Sequence, residues 1–152
     1  MDDLTWLRGM FRRELDLRPP SLAKIDENSI IIYDNNSNPI AHAIRKNRWR
    51  GSEINSLVVD PAHRGKGISH RLLKKCGSGR LFAYTRDQRL QSALERAGFE
   101  RSATPGFLGS LNVLISRLAV VSWMILSFDF KRIMHQLKHI LDYKLYVRER
   151  LK

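Results

Sequence analysis

The segment from Asp60 to Cys76, DPAHRGKGISHRLLKKC, combines cationic side chains with glycines at close spacing. Gly65 and Gly67 flank Lys66, after the apolar run 57–59 and before apolar residues at helical spacing. Glycines let a backbone approach a phosphate closely, and the first N–H groups of a helix have no intrahelical partner. The segment therefore predicts an anion-binding loop at the start of a helix.

The spacing of these glycines excludes two common phosphate-binding loops. A P-loop requires G-x-x-x-x-G-K-[ST], and no glycine lies five positions before Gly65 or Gly67. A dinucleotide fingerprint requires G-x-G-x-x-G, and His70 occupies the place of its third glycine. Neither loop type accounts for the segment.

The elements that must position the loop follow from apolar periodicity and turn residues. We expect helices over 3–16, from about Gly67 to Cys76, and from a cap at Asp87 to Ala97, with strands over 29–34, 39–49, 52–59 and 80–85 and an extended piece from Phe99. Tight turns join the first three strands to one another, and a helix forms each of the next two connections between strands. The order predicts an α/β (α+β) fold in which a mixed, mostly antiparallel sheet is flanked by helices.

The last fifty residues are more ambiguous. Residues 118–128, LAVVSWMILSF, have the composition of a strand, and apolar positions between 130 and 145 recur at helical spacing. We expect a helix over about 129–148. The chain then divides into a domain at 1–128, with core motifs at 29–103, and a basic amphipathic C-terminal helix at 129–152 that packs on the domain or on a partner.

The apolar segment 107–128 also raises the question of a membrane. Arg117 interrupts it, and its uninterrupted part, 118–128, is half as long as a membrane span. We expect this segment to be buried in the core, while a role at a membrane surface or as a hairpin stays open. The N-terminus has no continuous apolar core typical of a signal peptide.

Composition narrows the class of partner. The 152 residues fit one domain, and the formal net charge of +12 favours polyanionic partners such as nucleic acid, an acidic lipid surface or a phosphorylated cofactor. Cys76 is the one cysteine, so internal disulfides and multi-cysteine metal sites are excluded. We expect no metal and a reducing, cytoplasmic environment.

The loop and its flanking strand resemble the acetyl-CoA-binding motif of the GNAT superfamily of N-acetyltransferases. The motif reads Leu57-Val58-Val59-x-Pro61-x-x-Arg64-Gly65-x-Gly67-Ile68-x-x-x-Leu72-Leu73. Gly98-Phe99 follows at the distance that the family shows, and the resemblance runs from about Ile30 to Phe99. It implies a GNAT-like fold with acetyl-CoA as co-substrate.

The resemblance also implies residue roles. Backbone amides of the loop would bind the CoA pyrophosphate, here those of Arg64, Gly65, Lys66, Gly67, Ile68 and Ser69. The preceding strand would pair with the pantetheine arm through Leu57 and Val59. An N–H near Val58 or Val59 would polarise the thioester carbonyl while an amine attacks it directly.

Two side chains are candidates for proton transfer. Some family members carry a glutamate four residues before the position of Leu57, and Glu53 stands there as a candidate general base. Strand alternation would put Glu53 on one face with Asn55, Leu57 and Val59, while pairing with Arg48 or Arg50 is the alternative role. Many relatives have a tyrosine acid where this chain has Leu94, and Tyr84 is a candidate substitute or a packed side chain.

The acceptor is open at this stage: an amine of a protein, a small molecule or an aminoacyl-tRNA. The segment RKNRWR at 45–50 places four cations around Trp49 and favours either RNA binding or a solvated hairpin. The C-terminal segment would meet RNA, an acidic membrane surface or a second copy of the chain. The alternative to an acetyltransferase is a GNAT-fold binding or assembly protein with weak or no catalysis.

Overall fold

The computed structural model describes residues 2–103 and 107–149, with the side chains of residues 107–110 and 112 left out. In chain order the helices are α1 (Asp3–Arg13), α2 (Ile68–Lys75), α3 (Gln88–Arg96), α4 (Phe107–Leu126) and α5 (Phe130–Lys138). The strands are β1 (Ser29–Tyr33), β2 (Pro39–Arg48), β3 (Gly51–Val59), β4 (Leu81–Thr85), β5 (Glu100–Ser102) and β6 (Lys144–Arg148). The elements predicted between residues 3 and 102 are confirmed to within a few residues at their ends.

The strands form one six-stranded sheet in the order β1-β2-β3-β4-β6-β5. Among the described residues β3–β4 is the one parallel pairing, and the other four pairings are antiparallel. The sheet is thus mixed and mostly antiparallel, with helices packed against it. The expected α/β architecture, a mixed sheet flanked by helices, is confirmed.

Helices cover both faces of this sheet. On one face, α2 and α3 bury Leu72 and Leu94 in a cluster with Ile54 of β3. On the other, α1 buries Leu7 and Phe11 against Val58 in a second cluster. Asp2 caps α1 by accepting a hydrogen bond from the backbone N–H of Thr5, which satisfies one of its free donors.

A β-bulge in β3 changes which residues share a face. The register with β2 advances two residues from His42 to Ile44 but three on β3, from Val58 back to Asn55, and Ser56 has a φ of 53°. One extra residue shifts every later side chain to the opposite face. Leu57 and Val59 therefore pack in the cluster of Ile54. The expectation that they share a face with Glu53 and Asn55 was wrong.

The C-terminal third departs from the sequence-based expectation in two places. Residues 107–126 form the helix α4, so the strand-like composition of residues 118–128 was misleading. The helix expected over 129–148 ends at Lys138, and residues 144–148 form the strand β6. β6 lies between β4 and β5, so it belongs to the common sheet. Residues 150–152 of the expected helix lie outside the described residues.

The core burial expected for residues 107–128 was also wrong for most of the side chains that are described. Val113 and Met124 are buried, and Val113 packs against Phe82 of β4. Most other large apolar side chains of α4 are exposed, Leu126 to 74%. Within the described part of the chain, no helix has the length and hydropathy that crossing a membrane requires.

Candidate active site

The site opens where β3 and β4 part. They pair in register at Ser52–Leu81 and Glu53–Phe82, yet β3 continues to Val59 and β4 to Thr85. The bulge at Ser56 bends β3 just beyond the last paired residue. The two diverging strands line a cavity of about 970 Å³. Unpaired strand backbone at this cleft can bind an extended ligand arm.

The glycine loop forms one wall of this cavity. Asp60 holds the start of the loop by accepting a hydrogen bond from the backbone N–H of Ala62 at 2.9 Å. Gly65 and Gly67 have φ values of 78° and 71°, in the left-handed region that favours glycine. Gly67 is also the N-cap of α2 and offers no side chain to its first N–H groups. Those donors remain available to an anion at the positive end of the helix dipole.

Arg64 ties this loop to the rest of the fold. Its Nε donates to the carbonyl oxygen of Val59 at 3.1 Å, and its Nη2 contacts a carboxylate oxygen of Glu14 at 2.8 Å. Its backbone N–H donates to the carbonyl oxygen of Pro61. Arg64 therefore shapes the cradle, while the amides from Gly65 onward are the better candidates for phosphate binding.

The structure brings almost all predicted CoA-binding residues together. Eight of the nine line the cavity: Leu57, Val58, Val59, Arg64, Gly65, Gly67, Ile68 and Ser69. Lys66 is exposed and does not line it. Cys76 lies in the core behind α2, where burial raises the pKa of its thiol to about 11. An unreactive, buried thiol agrees with the expected packing role.

Tyr84 lies on β4 and lines the cavity. Its ring packs edge-on against Phe82, and the guanidinium carbon of Arg117 lies 4.6 Å from its centroid. Burial raises the pKa of the hydroxyl, so it stays protonated at neutral pH. A protonated phenol at this place can donate to a departing thiolate.

Glu53 lies outside this group of residues. Its carboxylate accepts hydrogen bonds from Nε and Nη2 of Arg48 at 2.8 and 2.6 Å, and it is absent from the cavity lining. Both side chains are about 93% buried, with 6% of Arg48 and 7% of Glu53 exposed. The structure therefore shows the alternative pairing with Arg48, and the role of Glu53 as general base stays a prediction.

Sequence reasoning missed a polar cluster at the cavity wall. The carboxylate of Asp16 binds Arg86 at 2.8 Å, His135 at 2.9 Å and the hydroxyl of Tyr143 at 3.1 Å. Burial opposes ionisation of Asp16, but the hydrogen bonds from Arg86 and His135 outweigh it and lower its pKa. The members are separated by up to 127 residues. No local spacing could have indicated them.

The RKNRWR segment has less free charge than its sequence suggests. Arg45 donates to the carbonyl oxygens of Cys76 and Ser78, and Arg48 is held by Glu53. Lys46, Trp49 and Arg50 are exposed around the β2–β3 turn. RNA binding at this turn stays a prediction that rests on these three residues.

Comparison with known proteins decides the family. The model of the acetyltransferase (GNAT) family matches residues 2–78, half of the chain, including β3, the glycine loop and α2. This chain belongs to the GNAT acetyltransferase family. No curated protein matches the sequence of this GNAT chain.

Solved structures share the GNAT fold at low identity. N-acetylglutamate synthase from Neisseria gonorrhoeae, complexed with coenzyme A and N-acetyl-glutamate, aligns over 100% of this chain at 16% identity and a TM-score of 0.63. This chain spans about a third, 34%, of that enzyme. Rv2747 from Mycobacterium tuberculosis, in complex with CoA, aligns over 98% of this chain and 95% of its own at 17% identity and a TM-score of 0.64. Tetrahymena GCN5 aligns over 67% of this chain and 72% of its own chain, at 21% identity and a TM-score of 0.50.

Proposed function

We propose that this GNAT protein transfers an acetyl group from acetyl-CoA to a primary amine by direct attack of the amine on the thioester. The observation that carries the proposal is the cavity between the parted strands β3 and β4, which the glycine loop closes at one end. Two of the solved relatives with this fold were determined with CoA bound. These features favour acetyl transfer over the alternative of an inactive binding protein.

Different residues along the cavity would bind different parts of acetyl-CoA. N–H groups at Gly65, Gly67 and the first turn of α2 would hold the pyrophosphate. The backbone of β3 at Leu57 and Val59 has no strand partner on the β4 side, and it would pair with the pantetheine arm and fix its direction, although the carbonyl oxygen of Val59 is already bound by Arg64. Holding the thioester and the amine side by side converts a bimolecular reaction into an effectively unimolecular one.

The bond changes need a polarised carbonyl and two proton transfers. The amine nitrogen forms a bond to the acetyl carbon, an N–H of β3 near Val58 or Val59 stabilises the developing oxyanion, and the carbon–sulfur bond then breaks. Tyr84 would protonate the thiolate, because it lines the cavity and burial raises its pKa and keeps the hydroxyl in its protonated form. The attacking amine loses its proton to a base, a role for which Glu53 remains our candidate, acting through water from its ion pair.

Substitution of Gly67 by alanine tests the pyrophosphate cradle, and Gly79 offers a matched control. Both glycines have positive φ, 71° and 105°, and an added Cβ would meet no atom closer than 3.9 Å at either site. Gly67 lines the cavity and Gly79 does not. We expect G67A to weaken acetyl-CoA binding about tenfold or more in calorimetry, which is about 1.4 kcal/mol, while G79A binds like the unaltered protein.

Transfer itself is measured as CoA release with a panel of amines: amino acids including glutamate, peptides with a free N-terminus or lysine, and aminoacyl-tRNA. Stimulation of CoA release by one of these classes supports the proposal and names the acceptor. Tight binding of acetyl-CoA without transfer to any of them would favour the binding-protein alternative. No binding at high micromolar concentration would refute both the cradle and the activity.

A further inference from the structure

The helices α4 and α5 and the short segments that follow them carry an extensive exposed apolar surface. Of the sixteen large apolar side chains that are exposed among the described residues, thirteen lie between residues 111 and 141: Leu111, Leu114, Ile115, Leu118, Trp123, Ile125, Leu126, Phe128, Phe130, Met134, Leu137, Ile140 and Leu141. We call this set the C-terminal apolar surface. Monomeric soluble proteins seldom expose large groups of apolar side chains, and such groups often mark sites of interaction with proteins or membranes.

The two helices that carry this surface are held to the rest of the domain by buried side chains and hydrogen bonds. Residues Val113 and Met124 of α4 point into the protein, and the indole N–H of Trp123 donates to the hydroxyl of Ser21 at 3.1 Å. On α5, Arg132 is buried and donates to the carbonyl oxygens of Phe11 and Glu14. The helices are thus packed on the domain by one side each, and their other sides face outward with apolar residues.

Charge identifies the kind of partner. Arg117, Lys131 and Lys138 are exposed on the same two helices, and Arg12 and Arg13 are exposed on α1 beside α5. The one acid between residues 107 and 141, Asp129, is bound to Arg132 at 3.0 Å. An apolar surface with a cationic border complements an anionic lipid surface, which offers acyl chains and negative head groups together.

We propose that the C-terminal apolar surface docks this acetyltransferase on an anionic lipid bilayer. The helices lie in the interface with their apolar sides toward the acyl chains, since the opposite side of each helix is packed on the domain. A second copy of the chain is the weaker candidate, because each copy carries a net charge of +12, and Asp142, the exposed acid that follows Leu141, already contacts His139 at 2.7 Å.

Flotation with lipid vesicles tests the docking. The full chain is mixed with vesicles of phosphatidylglycerol and phosphatidylcholine in equal parts, or of phosphatidylcholine alone. We expect flotation with the anionic vesicles, weaker flotation with the neutral ones, and release as salt rises. A chain that stays in the soluble fraction with anionic vesicles, or floats equally with both kinds, overturns the proposal.

A double variant, Leu126→Ser with Phe128→Ser, tests which surface carries the docking. Both side chains are mostly exposed, 74% and 78%, so their replacement costs the fold little. We expect vesicle affinity to fall about tenfold or more. Trp49→Ser is the matched control, because Trp49 is 57% exposed on the β2–β3 turn, outside the surface. Equal affinities of the two variants would overturn the assignment.

Light scattering of the free protein separates lipid docking from self-association. We expect a monomer whose mass is unchanged by the double variant. A stable dimer that L126S/F128S dissociates would assign the surface to a second copy and overturn the lipid proposal. Acetyl-CoA binding is measured alongside, so that failure of docking and failure of the proposed activity are distinguished.

Discussion

Arg48 and Glu53 form a buried ion pair beside the site, and separating them should be costly. Replacing Glu53 by glutamine leaves the Arg48 guanidinium in a largely dry environment with its main partner neutralised. Removing one member of such a pair typically destabilises a protein by about 3–5 kcal/mol. We expect E53Q to lower the free energy of unfolding in urea by this order.

The variant E53Q also distinguishes a structural role of Glu53 from a catalytic one. If Glu53 acts in structure alone, E53Q at low temperature, where it stays folded, should retain most of its rate of acetyl transfer. A stable E53Q protein with a rate reduced about a hundredfold or more would instead assign the base role to Glu53. Arg48→Lys is a suitable companion, because it keeps a cation near the carboxylate and disturbs the proton acceptor least.

His42 makes stability depend on pH. Its side chain is completely buried, and burial lowers its pKa from 6.5 to about 4, against a weaker opposite effect of the hydrogen bond with the carbonyl oxygen of Ser56. Between these values the unfolded chain binds a proton that the folded chain does not. Stability therefore falls as pH drops from about 6.5 toward 4, by roughly 3 kcal/mol.

Urea denaturation across pH 4–8 measures this contribution. We expect His42→Gln to flatten the part of the curve below about pH 6.5, because glutamine does not titrate there. The difference between the two proteins at neutral pH then reports the packing cost of the substitution alone. A curve for H42Q that falls as steeply as that of the unaltered protein would contradict the prediction.

At the scale of elements, one arginine fastens α5 to the end of α1. Arg132 donates from Nη1 to the carbonyl oxygens of Glu14 and Leu17 at 2.9 and 2.8 Å, and from Nη2 to that of Phe11 at 3.0 Å. A lysine carries its three donors on a single nitrogen and cannot reproduce the two separate terminal nitrogens with which the guanidinium serves these carbonyls. We expect R132K to destabilise the protein by about 2–4 kcal/mol.

Thermal denaturation checks this prediction, with Lys131→Ala as control. Lys131 precedes Arg132 on α5 but is exposed, so its replacement should change stability by less than about 0.5 kcal/mol. A shift for R132K as small as that for K131A would mean that water satisfies the three carbonyls equally well.

Elements with strong local signals were predictable, and elements defined by distant contacts were not. Between residues 3 and 102 the predicted elements are close to those observed. The signals were local: apolar periodicity and turn residues marked the strands, and Asp87 and Gly98 marked the ends of α3. Residues 144–148 continued a helical pattern, but they pair with β4 and β5, which a local period cannot indicate. The bulge at Ser56 was equally invisible, because nothing in its side chain requires an extra residue there.

In the candidate site, too, the part formed by a local motif was predictable and the part formed by distant contacts was not. The glycine loop was predictable because a short motif forms it, whereas the cluster around Asp16 joins His135 of α5, Arg86 just after β4 and the segment after α1. For Glu53 the sequence left two roles open, a general base by spacing or a partner of Arg48 or Arg50. The structure shows the pairing with Arg48, although Lys46 is the residue in register with Glu53 on β2.

For the whole molecule, β6 is the strand on which the C-terminal half of the sheet depends. Val147 is paired with Phe82 of β4 and with Glu100 of β5. Proline in a strand with neighbours on both sides removes a ladder hydrogen bond and is rarely tolerated. We expect Val147→Pro to abolish soluble, folded protein, as judged by circular dichroism and yield.

Arg101→Pro supplies the comparison. Arg101 lies on β5, an edge strand of three residues, where proline is better tolerated. We expect R101P to stay folded with a modest loss of stability. Comparable yields of folded protein for V147P and R101P would show that β6 is dispensable to the sheet.

The position of β6 also bears on the order in which the protein forms during synthesis. β4 and the glycine loop leave the ribosome more than fifty residues before β6 does, and until then the edge of β4 has no antiparallel partner. An unpaired apolar edge on a nascent chain is open to wrong pairing and to aggregation. The cleft between β3 and β4 thus takes its final form only once residues 144–148 have been synthesised, and a change in those residues would affect the cleft despite their distance from it in sequence.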